Sequence, residues 1–311
     1  MRLKSALRRG VAAAVIAGIV VSSGIPAYAA RWNIADGDIT VKAGDTKGTN
    51  RVTQGKTIEQ EDRDTVITGE SDKNTVTIDT SNGDVDVTFD DLKIDVSGKT
   101  EVDGSGDGPA QESKAAVTVQ GGGDATIELD GDNKLKSGSC KAGLEKDDEM
   151  SEDGETISGK LTIKDDNDTK GSLTAEGGDG GAGIGGGAEK TGSNITIQGG
   201  TIEAVGGAGA AGIGDGVGAR SEIDPNAPPS NPNNIIICGD AEVTAKAGSQ
   251  ILDAKAPAIG GKYGEVPTDA LSDDEHKVTG GRLTRLNADG TVMEGMGYDL
   301  SLIHISEPTR P

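Results

Sequence analysis

Two acidic clusters carry the oxygen atoms that a hard divalent cation would seek: Asp130-Gly131-Asp132-Asn133 and Asp165-Asp166-Asn167-Asp168. Calcium takes roughly six to eight such ligands, which makes Asp130, Asp132, Asp165 and Asp168 the candidate metal residues. Neither cluster has EF-hand spacing, which requires glycine at the sixth position and glutamate at the twelfth. Gly177-Gly178-Asp179-Gly180-Gly181 likewise misses the nonapeptide of calcium-binding β-rolls. The competing use of Asp and Asn is in turns, where they bond their own backbone. Tyr263, just beyond Gly260-Gly261, is the candidate ligand-stacking residue; its plainer use is packing on a strand edge.

Other chemistry is thinly provided. Gly183-Ile184-Gly185 would need a strand before it, a helix after it and a distant acid to serve a dinucleotide, and no helix pattern follows. His276 is the one histidine before the final residues and sits in the acidic run Asp273-Asp274-Glu275-His276-Lys277. The chain therefore has no Ser-His-Asp set and no histidine metal cluster. Polysaccharide lyases on β-helix folds pair calcium with a basic residue, and no basic residue stands out beside either acidic cluster. The sequence reads as a non-enzyme, with a lyase-like enzyme and a purely structural stalk as the rivals.

Composition narrows the partners. The 311 residues hold 30 basic and 52 acidic side chains, a net charge of −22. Such a chain repels nucleic acid and anionic lipid, whose recognition depends on Lys and Arg. Aromatic residues make up 2% of the chain and glycine contributes 50 residues. A conventional core of this size uses many more aromatics, so order has to come from a different arrangement.

That arrangement is a repeat. Asp86-Val87-Thr88-Phe89, Thr126-Ile127-Glu128-Leu129, Lys160-Leu161-Thr162-Ile163, Asn194-Ile195-Thr196-Ile197 and Asn234-Ile235-Ile236-Ile237 recur every 34–40 residues. Each alternates like a strand with one buried face. A second short strand follows each, as in Lys134-Leu135, Ser172–Ala175, Thr201–Ala204 and Ala241–Ala245. A third element recurs as Ala142-Gly143-Leu144, Ala182-Gly183-Ile184, Ala211-Gly212-Ile213 and Pro257-Ala258-Ile259. The last three run into glycines.

This period, with three short apolar elements per unit, predicts an all-β, right-handed parallel β-helix of about five coils. Helical repeats fit poorly because Thr, Gly and β-branched residues are weak helix formers; a β-propeller is the closer rival. Two stacked columns are predicted: Ile127, Leu161, Ile195 and Ile235 in one, and Leu144, Ile184, Ile213 and Ile259 in the other. The segments Glu145–Glu155 and Ile223–Asn233 read as exposed insertions. Cys140 and Cys238 lie nearly three repeats apart, too far for a bridge whose Cα atoms must come within about 7 Å, and are expected unpaired.

The two ends read differently. Arg2, Lys4, Arg8 and Arg9 precede an apolar stretch, Val11–Val21, and then Ala27-Tyr28-Ala29. This is signal-peptide grammar, with cleavage expected after Ala29. The apolar stretch is too short to span a bilayer, which needs about 20 residues. The expected product is secreted or displayed at the cell surface, with no membrane insertion after cleavage. The closing string Leu300–Pro311 breaks the local composition and resembles translated sequencing-adapter read-through. It is expected to lie outside the natural protein, with the gene cut short near Tyr298-Asp299.

Ile127-Glu128-Leu129-Asp130-Gly131-Asp132-Asn133, Gly183-Ile184-Gly185-Gly186-Gly187 and Ile195-Thr196-Ile197-Gln198-Gly199-Gly200-Thr201-Ile202 also carry a family likeness. The chain resembles Gram-positive surface proteins of the carbohydrate-binding-domain or β-helix type over most of residues 34–264. The resemblance implies a β-helix at the cell surface and glycan binding, with extracellular or cell-wall glycans as partners. The expected organisation is a leader (1–29), an N-terminal cap with the first strands (30–85), glycine-punctuated repeats (86–264), a last irregular coil (265–299) and the foreign tail (300–311). No cofactor is expected beyond calcium.

Overall fold

The computed structural model describes residues 30–98, 113–150, 156–167, 169–219, 233–251, 256–261, 264–266, 271, 281–293 and 298–299. Residues 1–29, Asp168, Tyr263, His276 and the closing string therefore lie outside the described residues. Within them the chain is all β, with long parallel sheets and a 3-10 turn at Ile34–Asp36.

One sheet begins at Arg31–Asn33 and runs through Thr65–Ser71, Val85–Asp95, Ala125–Lys136, Gly171–Glu176, Thr201–Val205 and Glu242–Lys246 to Arg282–Leu286. Every step is a parallel pairing. A branch leaves the first half of Ala125–Lys136 and continues in parallel through Leu161–Lys164, Ile195–Ile197 and Ile235–Ile237. The second sheet stacks Ile39–Ala43, Val76–Asp79, Val117–Gln120, Leu144–Lys146, Ile184–Gly185, Ile213–Gly214 and Ile259–Gly261, again in parallel. Antiparallel strands close its two ends: Asn50–Gln54 with Thr57–Asp62 at one, Gly264–Glu265 at the other. An edge covered this way offers fewer free backbone groups to other chains.

Side-chain alternation explains why these short segments hold together. Strand register places Ile39, Val76, Val117, Leu144, Ile184, Ile213 and Ile259 in one column, all buried. The predicted column of Leu144, Ile184, Ile213 and Ile259 is therefore present and three members longer. With strands about 4.8 Å apart, each aliphatic group packs on the next. Full burial of each stabilises by roughly 1.5–3 kcal/mol.

The other predicted column is corrected by two residues. Leu161, Ile195 and Ile235 share a row, but its member in the preceding strand is Ala125. Ile127 belongs with Ile163, Ile197 and Ile237. All these side chains are buried. A slip of one residue would turn a strand inside out, whereas a slip of two leaves the same face inward. Hydrophobic pattern alone cannot separate the two alignments.

Two further expectations change. The first two repeats do not break into separate short strands: Val85–Asp95 and Ala125–Lys136 are continuous over 11 and 12 residues. They bend where Asp91 and Gly131 take positive φ. The start of the supposed insertion Glu145–Glu155 is not exposed, because Glu145 and Lys146 are each 3% accessible. They lie in the Leu144–Lys146 strand, where Lys141 before it pairs with Glu145 and Asp148 after it pairs with Lys146.

The glycines that follow the aliphatic column have a steric cause. Gly185, Gly214 and Gly260 follow its aliphatic residues in register and take φ of 131°, 127° and 126°. A Cβ on Gly185 would fall 2.1 Å from the Gly214 carbonyl oxygen, and one on Gly214 would fall 2.0 Å from that of Gly260. Only glycine meets both conditions.

Candidate functional site

The inner columns force the intervening residues outward. On the first sheet one outward row consists of Glu70, Lys93, Lys134, Thr174, Glu203, Thr244 and Thr284. Beside it runs Asp95, Lys136, Glu176, Val205 and Lys246. At the N-terminal end of these rows lies a groove of about 600 Å³, walled by Glu70, Asp72, Lys93, Asp95, Lys134, Lys136, Thr174 and Glu176. That volume lies in the range of small-ligand sites, about 300–1,000 Å³.

The groove's charges are paired loosely. Lys93 Nζ is 3.4 Å from Glu70, Lys134 Nζ is 3.2 Å from Asp132, and Lys136 Nζ is 3.3 Å from Glu176. All six side chains are between 38% and 74% exposed. Exposed pairs of this kind contribute about 0–1 kcal/mol each, so an incoming hydrogen-bonding ligand displaces them at little cost. Ammonium groups supply only donors, carboxylates only acceptors, and Thr174 supplies both. A polyhydroxylated molecule has both kinds of group to match them.

Three of the four predicted metal residues, Asp130, Asp132 and Asp165, are engaged by protein contacts; the fourth, Asp168, lies outside the described residues. Asp130 Oδ1 accepts a hydrogen bond from Asn167 Nδ2 at 2.5 Å. Asp132 pairs with Lys134 and accepts from Ser172 Oγ at 3.2 Å, and Lys134 together with Ser172 holds its carboxyl below the usual range. Asp165 Oδ2 accepts the Gly171 N–H at 3.1 Å. Among the described residues no three acidic, histidine or cysteine side chains gather where they could hold a metal. Cys140 is exposed and Cys238 half-buried, and no disulfide joins them. Among the described residues no helix is long and apolar enough to cross a membrane.

A second concentration of charge lies in the interior, after the Leu144–Lys146 strand. Lys146 Nζ donates to Ser158 Oγ at 2.8 Å, and Ser158 Oγ donates to Asp148 Oδ1 at 2.6 Å. Asp148 also accepts from Ser193 Oγ at 2.9 Å and Thr191 Oγ1 at 3.0 Å. Glu145 accepts from Lys141 Nζ at 3.0 Å and from the Ala142 N–H at 3.2 Å, while Asp147 accepts the Gly187 N–H at 2.8 Å. Burial pulls the Lys146 ammonium down and pushes the Glu145 and Asp147 carboxyls up, and for Glu145 repulsion from Asp147 adds to the rise. A lysine, a serine and a carboxylate in line can in other settings activate a nucleophile. Here the donors and acceptors saturate one another and tie residues far apart in the chain into one corner.

Sequence reasoning missed both features. Lys93 and Lys134 are far apart in the chain and become neighbours only through strand register. Glu145–Asp148 reads as a solvated acidic run unless the preceding aliphatic column is followed one residue further. No protein-family model matches the chain, and no curated protein or solved structure does either.

Proposed function

We propose that this chain is an exported, non-enzymatic cell-surface protein that binds carbohydrate through the groove on its first sheet. In this reading the three parallel ladders are the faces of a right-handed β-helix of about five coils, each of 34–40 residues with three strands. The signal-peptide grammar before Ala30 supports export. The observation that carries the binding reading is the groove itself. It sets three ammonium groups, four carboxylates and a threonine hydroxyl on a rigid sheet, with no aromatic platform.

The test is a panel of soluble plant, microbial and cell-wall glycans offered to the purified chain and followed by calorimetry and by product analysis. Binding without product release is expected. Lys134→Ala and Thr174→Ala should weaken it at least tenfold with little change in melting temperature. Release of shorter or unsaturated sugars would replace the binder with a polysaccharide-active enzyme. Absence of binding across the panel would leave a structural stalk.

A further inference from the structure

The groove has a direction. Four strands contribute to it, Thr65–Ser71, Val85–Asp95, Ala125–Lys136 and Gly171–Glu176. From Val85–Asp95 onward, each presents two outward side chains to it: Lys93 and Asp95, Lys134 and Lys136, Thr174 and Glu176. At about 4.8 Å between strands and about 6.6 Å between successive outward residues, the groove is about 14 Å long across the strands but only about 7 Å wide along them. Its long axis therefore follows the stacking direction. The Glu70–Lys93–Lys134–Thr174 row lies along it, one polar side chain per strand.

We propose that the ligand is an uncharged, extended, β-linked glycan lying along the stack, with about one sugar unit per strand. The inference rests on the carbohydrate-binding reading above and specifies the class of glycan. An extended β-1,4-linked hexose advances by about one strand spacing per unit, so successive sugars meet equivalent positions on successive strands. The walls argue against a charged polymer. Glu70, Asp72, Asp95 and Glu176 nearly balance Lys93, Lys134 and Lys136, and the chain as a whole carries −22. A polyanion would meet carboxylates along its whole length and a polycation would meet the lysines. Hydroxyl groups, which both donate and accept, suit alternating ammonium and carboxylate partners.

Calorimetry with cello-, manno- and N-acetylchito-oligosaccharides of one to six units, at low and high sodium chloride, tests the proposal on the intact chain. For the series that binds, affinity should rise at least tenfold between two and four units and then level off, with little dependence on salt. Thr174→Ala, at one end of the row, should weaken four-unit ligands while leaving two-unit ligands within about twofold. Affinity independent of length, affinity still climbing from four to six units, or a steep loss with salt would each overturn the axial, uncharged ligand and leave glycan binding standing. The same follows if none of these series binds while another glycan of the panel does. Failure of every glycan would instead remove the underlying reading.

Discussion

Replacing Gly214 by alanine tests the stacking geometry directly. Its φ of 127° is one that side-chain-bearing residues rarely adopt, and such strain costs about 1–3 kcal/mol. The new methyl would also sit 2.0 Å from the Gly260 carbonyl oxygen, where ordinary contact begins at 3.4 Å. The strands must then part by more than an ångström. That movement stretches the 2.9 Å hydrogen bond from the Asp215 N–H to the Gly260 carbonyl and opens the contact between Ile213 and Ile259. Overpacking of this kind costs a further 1–3 kcal/mol or so. A combined loss of about 2–6 kcal/mol is a large share of a typical domain's roughly 5–15 kcal/mol. At about 2–4 °C per kcal/mol, melting should fall by about 4–24 °C.

Three companion variants separate strain from space. Gly207→Ala meets the Gly178 carbonyl oxygen at 1.8 Å without a positive φ, so it isolates the clash. Gly48→Ala has φ of 77° and open space around it, which isolates the strain, about 1 kcal/mol. Gly98→Ala has neither and should stay within about 0.5 kcal/mol. Thermal and urea unfolding followed by circular dichroism should rank Gly214→Ala lowest and Gly98→Ala highest. Equal midpoints for those two would refute the close approach of the strands. Equal midpoints for Gly214→Ala and Gly48→Ala would show that backbone strain alone, not the neighbouring strand, demands glycine.

Acidification should stabilise the protein over the upper part of the carboxylate range. Glu145 and Asp147 titrate above their usual range, first because they are buried. Their stabilisation is complete below the ordinary carboxylate values and lost as pH rises through the raised folded ones, so melting should rise from pH 7 to pH 5. Falling net charge acts in the same direction, and Glu145→Gln with Asp147→Asn should therefore reduce the slope without abolishing it; an unchanged slope refutes the buried cluster as its source. Calcium and sodium chloride at matched ionic strength should shift melting equally, since Asp130, Asp132 and Asp165 already have protein partners. A specific site would add about 3 kcal/mol at a hundredfold excess over its dissociation constant. An added rise in calcium, lost in Asp130→Asn/Asp132→Asn, would restore the metal reading.

What the sequence reveals of this fold follows from which physical signals are local. Alternation at Ile195-Thr196-Ile197 and the Gly-Ile-Gly steps at Ile184 and Ile213 are readable because burial and close approach act within a few residues. The partner strand is not local. Aligning Ile127 with Leu161 rather than Ile163 preserves every buried face and misses the ladder by two positions. Asp130 and Asp132 look like cation ligands for the same reason: the side chains that engage them, Asn167 and Ser172, come from a different strand region.

Register also decides what the charged residues do. An acid in a composition this negative reads as solvated until a column is followed to its end. Beyond Val119 the inward position is taken by Lys146, and the burial of that one ammonium requires Asp148, Ser158, Ser193 and Thr191 to gather behind it. The outer face works the opposite way. Lys93 and Lys134 cost nothing to expose singly, and placed on adjacent strands they would repel each other if carboxylates did not flank them. Glu70 and Asp132 provide that balance at distances loose enough to be exchanged. The same parallel stacking that makes the interior periodic therefore leaves a polar lattice outside whose pairs are weak, and under the proposed reading a ligand that replaced those pairs one strand at a time would gain from every strand it crossed.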